Sequence, residues 1–125
     1  MLDDAAALLE RGELFGIHPE GTRSPDGRLY RGKIGVAWLA LKTGAPVLPV
    51  ALSGTEKVLP VGAKVPRPAP IGITIGAPMR FEGDHTKARD RRRVTDEIMM
   101  AIQRLSGQEY VPTYAASYKA SNGMS

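Results

Sequence analysis

The order of apolar runs, and of the prolines and glycines between them, constrains the fold of this chain more than any other feature. Leu14–His18 is a short, mostly apolar run that stops at the proline- and glycine-containing stretch 19–32, a pattern typical of a strand that opens into a loop. A helical spacing of apolar residues follows over Lys33–Thr43, with Gly44 as its stop, and Val47–Leu52 is a second apolar strand. Strand, helix and strand in this order predict a parallel βαβ unit, so the sequence predicts an α/β fold.

Further elements are predicted on both sides of this unit. Leu2–Arg11 has a helical spacing of apolar residues, and in Ile71–Gly76 isoleucines alternate with small residues as in a strand. Thr86–Ser106 carries one apolar stripe and is the clearest helix, while 54–70 is a long connection rich in proline. From Gln108 onward no period is present, and we expect residues 108–125 to form a mobile tail.

The loop after the first predicted strand carries the residues of most chemical interest, His18-Pro19-Glu20-Gly21-Thr22-Arg23-Ser24. The Arg23 guanidinium is a rigid fork of donors that fits a phosphate in a bidentate way. The Glu20 carboxylate can accept a hydrogen bond from a hydroxyl next to that phosphate, or it can orient Arg23. The Thr22 and Ser24 hydroxyls either donate to phosphate oxygens or bond the backbone of the turn. Together these residues predict a small phosphorylated alcohol as the ligand.

Each basic residue outside this heptapeptide can either bind a ligand or be solvated. Lys33 begins the predicted helix, where the dipole disfavours a cation unless an anion is near, so Lys33 is a candidate for a ligand's phosphates. For Arg28 we favour a solvated loop. The arginines at 89 and 91–93 are expected to form a solvated helix face rather than a binding patch for lipid or nucleic acid.

The phosphate loop is followed by Lys33-Ile34-Gly35-Val36-Ala37 and by Thr43-Gly44-Ala45-Pro46-Val47-Leu48-Pro49-Val50-Ala51-Leu52. In this order and spacing, the three segments resemble the glycerolipid acyltransferases, specifically the 1-acylglycerol-3-phosphate acyltransferase family. The likeness runs from Gly12 to Gly54, and more loosely to Phe81. The resemblance implies an acceptor, lysophosphatidate or a glycerol phosphate, and a donor, acyl-CoA or acyl carrier protein, with no metal or redox cofactor. The acceptor-binding residues that it implies are Glu20, Gly21, Thr22, Arg23, Ser24 and Lys33.

The catalytic motif of that family, Asn-His, four residues, then Asp, is absent from these 125 residues. His18 stands where the family usually carries an aromatic or apolar residue, and we expect it to contact the end of the strand rather than to catalyse. His85 and Asp90 have the motif's spacing, but they follow the loop, lack a preceding asparagine and enter a basic helix. We therefore expect residues 1–107 to be the C-terminal part of an acyltransferase domain that transfers no acyl group by itself.

Composition restricts the function classes without choosing one. The chain has no cysteine, which excludes disulfides and thiolate sites, and no run of about twenty apolar residues that would span a bilayer. Its net charge of +4 suits phosphorylated substrates, anionic membranes or nucleic acid. We expect a cytoplasmic protein of phospholipid biosynthesis at the inner face of the cell membrane. Two alternatives stay open: a noncatalytic module that binds phosphate or lipid headgroups, and a basic nucleic-acid-binding domain. The second lacks interleaved aromatic residues, so no nucleic acid is expected.

Overall fold

The computed structural model describes residues 2–54 and 70–123. In this part of the chain four helices and four strands follow one another in the order α1, β1, α2, β2, β3, α3, β4, α4. Their bounds are Leu2–Glu10 (α1), Leu29–Tyr30 (β1), Gly35–Thr43 (α2), Val50–Ser53 (β2), Gly72–Ile75 (β3), Ala88–Ser106 (α3), Tyr110–Val111 (β4) and Ala115–Ser121 (α4). The predicted α/β class is confirmed. Most of the predicted connection 54–70 lies outside the described residues.

The helices that hydrophobic periodicity predicted are confirmed to within three residues at either end. The apolar stripe of α1 buries Ala5 and Ala6 against Leu39 of α2. Helices α2 and α3 end at Gly44 and Gly107, whose backbone N–H groups donate to the carbonyls of Ala40 and Gln103 at 2.9 and 2.8 Å. These bonds satisfy carbonyls that a helix end otherwise leaves without a partner.

The main core lies between α2 and α3. Val36 and Ala37 of α2 contact Val94 and Ile98 of α3, and all four are buried. Burial of a Val or Ile side chain stabilises the folded state by about 1.5–3 kcal/mol each, so this contact fixes the two helices against each other. It also holds the start of α2 beside the loop that precedes it.

Two small sheets flank this core. Strands β2 and β3 pair antiparallel, with Val50 opposite Ile75 and Ser53 opposite Gly72. Strands β1 and β4 pair in parallel, with Leu29 opposite Tyr110. The parallel pair joins residues far apart in the sequence and brings the C-terminal segment beside the loop that ends at β1.

The prediction of a strand over Leu14–His18 is wrong for the described part of the chain, and with it the βαβ unit. No strand forms there, and Leu14 is 99% exposed. The strand that precedes α2 is β1, which lies within the predicted loop 19–32 and pairs with β4 rather than with β2. An apolar run indicates which side chains a strand would bury. A strand also needs a neighbouring strand that pairs with its backbone N–H and C=O groups. Among the described strands, β2 pairs with β3 rather than with residues 14–18.

The segment 108–125 contains more secondary structure than its sequence predicts. Strand β4 and helix α4 lie in it, and α4 buries Ala115 and Lys119. Helix α4 is only seven residues long, too short for its apolar period to stand out in the sequence. Strand β4 and helix α4 were therefore not predicted, and the mobility of the segment stays a prediction.

No helix in the described ranges is long and apolar enough to cross a lipid bilayer.

Candidate functional site

The loop His18–Ser24 is held in place by backbone hydrogen bonds at both of its sides. The Gly21 N–H donates to the His18 carbonyl at 3.0 Å and closes a tight turn. Gly21 has φ +77°, a left-handed conformation that favours glycine. The Lys33 N–H donates to the Pro19 carbonyl at 2.7 Å, so the start of the loop lies beside the residues that lead into α2.

Glu20 anchors the loop to β1. Its Oε2 accepts a hydrogen bond from the Tyr30 N–H at 2.9 Å, and the side chain is half-buried. Burial raises the pKa of Glu20 above its ordinary value, although the Tyr30 hydrogen bond and the nearby His18 act in the opposite direction. A carboxylate has about four acceptor positions, so Glu20 can fix the loop and still accept from a ligand hydroxyl. Carboxylates with a shifted pKa in a cleft are candidates for functional groups.

Basic side chains surround the turn at Gly21 and Thr22. A Cβ placed on Gly21 would lie 3.0 Å from Cδ of Lys33 and 3.6 Å from its Nζ, so the Lys33 side chain covers the turn. The Thr22 Oγ1 accepts a hydrogen bond from Nζ of Lys119 at 3.0 Å. Arg23 is exposed and lines the cavity that opens beside the loop. The structure therefore places the side chains of Lys33 and Lys119 beside the turn at Gly21 and Thr22, and the binding of a phosphate by Glu20–Ser24 and Lys33 stays a prediction.

Of the two alternatives for the Ser24 hydroxyl, phosphate binding or bonding of the turn backbone, the structure shows bonding of the backbone. Its hydroxyl donates to the Arg28 carbonyl at 2.7 Å and accepts from the Gly27 N–H at 3.0 Å. A serine hydroxyl has a single hydrogen to donate, and here the backbone accepts it. The hydrogen bonds of Ser24 thus shape the loop, and its role in substrate binding stays a prediction.

A cavity of about 1040 Å³ opens next to the loop. Its lining includes the loop residues Glu20–Arg23, together with residues of α2, β2, α3 and the segment before the loop. Most of the wall residues are apolar, among them Phe15, Val36, Leu52 and Ile98. A mostly apolar lining that also holds Glu20, Thr22 and Arg23 matches a ligand with an anionic head and a hydrocarbon chain.

Arg28 does not line this cavity, and its side chain, although 33% exposed, is ion-paired rather than simply solvated. It forms ion pairs with Asp26 at 2.8 Å and Glu109 at 2.9 Å, and its guanidinium lies 5.7 Å from the ring centre of Tyr118. The hydrogen bonds to Asp26 and Glu109 raise the pKa of Arg28. Desolvation alone would raise the pKa of Asp26, but the hydrogen bonds from Arg28 and Tyr30 lower it overall. These contacts fasten the C-terminal segment to the loop.

His85 and Asp90, which have the spacing of the family's catalytic motif, contact different residues. The His85 ring meets Trp38 edge-on, with ring centres 5.9 Å apart, while Oδ2 of Asp90 accepts from the Asp84 N–H at 3.0 Å. The nearby arginines face acids, as in the pair of Arg92 with Asp96 at 2.6 Å. This pairing favours a structural role for the basic face of α3. Within the described ranges no three His, Cys, Asp or Glu residues are arranged to hold a metal ion.

The sequence did not identify Lys119 as a residue of the site. It lies within the predicted tail, 97 positions after the threonine it contacts. The sequence signal that could have indicated a helix here is local. Tyr114, Ala115, Tyr118 and Lys119 have the spacing of residues on one face of a two-turn helix.

Comparisons with known proteins agree with the chemistry of this loop. A family model described as Acyltransferase matches residues 1–53. The chain is 47% identical over 57 residues to the chloroplastic 1-acyl-sn-glycerol-3-phosphate acyltransferase BAT2 of Brassica napus, a match that covers 46% of this chain and 17% of that protein. It is 35% identical over 80 residues to the 1-acyl-sn-glycerol-3-phosphate acyltransferase of Pseudomonas aeruginosa, covering 64% of this chain and 31% of the relative.

A solved structure has a similar fold. The crystal structure of the 1-acyl-sn-glycerophosphate acyltransferase PlsC from Thermotoga maritima matches with a TM-score of 0.65 and 32% identity, over 83% of this chain and 43% of the other. The chain thus spans less than half the length of that structure. It spans less than a third of the length of the two curated relatives described above.

Proposed function

Because the chain belongs to the acyltransferase family, we propose that its loop and cavity bind 1-acylglycerol 3-phosphate, the acceptor of an acyl transfer in phospholipid biosynthesis. The observation that carries this proposal is that Glu20–Arg23 line a mostly apolar cavity of about 1040 Å³. A phosphate at the loop and a hydrocarbon chain along the walls would use both parts of the cavity at once. The names of the relatives, which are 1-acyl-sn-glycerol-3-phosphate acyltransferases, support the choice of acceptor.

In this proposal each loop residue has a distinct role. Arg23 holds the phosphate through charge-assisted hydrogen bonds, and Lys33 adds a second positive charge beside the turn. Glu20 accepts a hydrogen bond from the free hydroxyl of the glycerol. The loop thereby positions the hydroxyl that is to be acylated, and fixing two reactants in this way is worth about 7–11 kcal/mol in well-oriented model reactions.

The remaining parts of the reaction are assigned by chemistry. The glycerol hydroxyl attacks the thioester carbonyl of acyl-CoA or acyl carrier protein, the acyl–oxygen bond forms, and the thiol leaves with the proton. The 125 residues contain no Asn-His-x-x-x-x-Asp segment, so we assign them acceptor binding and not the proton transfer. An amphipathic acceptor with a hydrocarbon chain and a net charge of +4 on the chain further support action at an anionic membrane surface on the cytoplasmic side.

The test is a comparison of two ligands with the same short acyl chain, each used below its micelle concentration. We expect calorimetry to show saturable binding of lysophosphatidate and at least tenfold weaker binding of the corresponding monoacylglycerol. The difference follows from losing the phosphate, since hydrogen bonds to charged groups contribute about 1.5–3 kcal/mol each. Equal affinity for the two lipids would leave a hydrophobic cavity without phosphate recognition and would refute the proposal.

A further inference from the structure

Lys119 is a buried cation at the phosphate loop. The residue is only 9% exposed, and its Nζ donates to the Thr22 Oγ1 at 3.0 Å. Among the described residues, no carboxylate forms an ion pair with it. Burial of an ammonium group is unfavourable unless an anion or several hydrogen bonds compensate for its lost hydration. This location therefore favours binding of an anion near Thr22.

Four contacts hold the C-terminal segment, and with it Lys119, against the loop. Strand β4 pairs with β1, and Glu109 forms an ion pair with Arg28 at 2.9 Å. The rings of Tyr118 and Tyr30 lie 5.4 Å apart, and the Arg31 guanidinium lies 5.2 Å from the ring centre of Tyr114. The position of Lys119 thus follows from the way β4 and α4 are fixed to the rest of the chain.

The direction of the hydrogen bond determines what Thr22 can do. A threonine hydroxyl has one hydrogen to donate and two lone pairs to accept. Because Lys119 donates to one lone pair, the hydroxyl hydrogen points away from the ammonium group, and no described residue accepts it. Thr22 lines the cavity, whereas Lys119 does not. Lys119 therefore acts on the cavity through Thr22.

We propose that Lys119 is a positioning residue of the phosphate site: its ammonium group orients the Thr22 hydroxyl as a donor to a phosphate monoester and adds positive charge behind it. The inference rests on the proposed function, because the ligand is the same phosphate. It assigns part of the acceptor site to the C-terminal segment after residue 107. The same chemistry would recognise the headgroup of lysophosphatidate, glycerol 3-phosphate or inorganic phosphate.

The experiment measures the dissociation constants of lysophosphatidate and inorganic phosphate for the full 125-residue chain and for Lys119→Met. We expect both ligands to bind about tenfold more weakly, the effect of one hydrogen bond to a charged group. Lys42→Met is the control, since it removes the same charge from α2 at a residue that contacts Trp38 and does not line the cavity. A loss confined to lysophosphatidate would place Lys119 in chain packing and overturn the inference.

Two further comparisons separate positioning from a structural role. In the Thr22→Val background, Lys119→Met should weaken phosphate binding by no more than about threefold, because coupled residues give nonadditive effects. Thr22→Ser keeps the hydroxyl, so it should bind phosphate about tenfold more tightly than Thr22→Val. The Thr22 pair also decides the matter if Lys119→Met does not fold: equal phosphate binding by the serine and valine variants refutes the inference.

The failure of this inference differs from failure of the proposed function. If Lys119→Met and Thr22→Val bind lysophosphatidate as tightly as the unchanged chain, while Arg23→Gln does not, the acceptor site stands without Lys119. If the unchanged chain binds neither lysophosphatidate nor inorganic phosphate, the proposed function fails and this inference fails with it.

Discussion

Replacement of Arg23 by glutamine weakens the binding of lysophosphatidate by about 10- to 100-fold, because one bidentate contact to the phosphate is lost. Each hydrogen bond to a charged group contributes about 1.5–3 kcal/mol, and a factor of ten in affinity corresponds to about 1.4 kcal/mol. Arg23 is exposed, so salt screens its charge, and the effect should shrink as the ionic strength rises. Titration calorimetry at two salt concentrations measures both quantities.

Two variants make this result specific. Arg23→Lys keeps the charge but not the planar fork of donors, so it should recover only a small part of the lost affinity. Arg89→Gln is the matched control: the Arg89 side chain is 85% exposed on α3, outside the cavity. Its affinity should stay within twofold of the unchanged chain. Arg23→Gln that binds as tightly as this control would remove Arg23 from the site.

Substitution of Gly32 by alanine lowers the free energy of unfolding by about 1–3 kcal/mol, the usual cost of forcing an extra methyl group into a filled core. Gly32 is the point at which the loop crosses α3. A Cβ there would lie 2.8 Å from Sδ of Met99 and 2.9 Å from Cγ2 of Thr95, and both of these residues are fully buried. Since domains of this kind are stable by about 5–15 kcal/mol, the loss is measurable by urea denaturation followed by circular dichroism.

Gly16→Ala is the control for Gly32→Ala. No atom lies within 4 Å of a Cβ placed on Gly16, so its free energy of unfolding should change by less than about 0.5 kcal/mol. If the two alanine variants were equally stable, the close approach of the loop to α3 would be wrong. The placement of Lys33, the next residue along the chain, would then lose its support.

The predicted elements that are confirmed depend on local signals. Helices α1, α2 and α3 have apolar stripes with the helical period, and glycines stand at the ends of α2 and α3. Strand β3 shows the alternation of a strand. These patterns are contained within a few turns or residues of chain, so the sequence displays them directly.

The errors concern contacts between distant parts of the chain. The segment Leu14–His18 has a strand-like composition but forms no strand in the described part of the chain, and two-residue strands such as β1 exist only through their pairing with β4. Helix α4 is too short for a clear period, and its position depends on contacts with Tyr30 and Arg28. Pairing across such distances leaves little trace in one sequence.

In the candidate site, too, the sequence identified individual residues, whereas contacts between distant residues required the structure. Glu20, Thr22 and Arg23 were identified because the chemistry of their side chains and the family resemblance are both local to one loop. The bond from Glu20 to the Tyr30 N–H, the turn hydrogen bonds of Ser24 and the contact of Lys119 with Thr22 required the fold. Residue type indicated which side chains can bind phosphate. Only the structure indicates which of these side chains already form hydrogen bonds within the protein.

The most direct test of the phosphate loop is a titration of the isotope-labelled chain with short-chain lysophosphatidate, followed by the backbone amide resonances in two-dimensional NMR. We expect the largest shifts at Gly21, Thr22 and Arg23, with methyl shifts at Ile98 and Ile102, which line the cavity. Shifts concentrated on the arginines of α3, with the loop unchanged, would contradict this expectation.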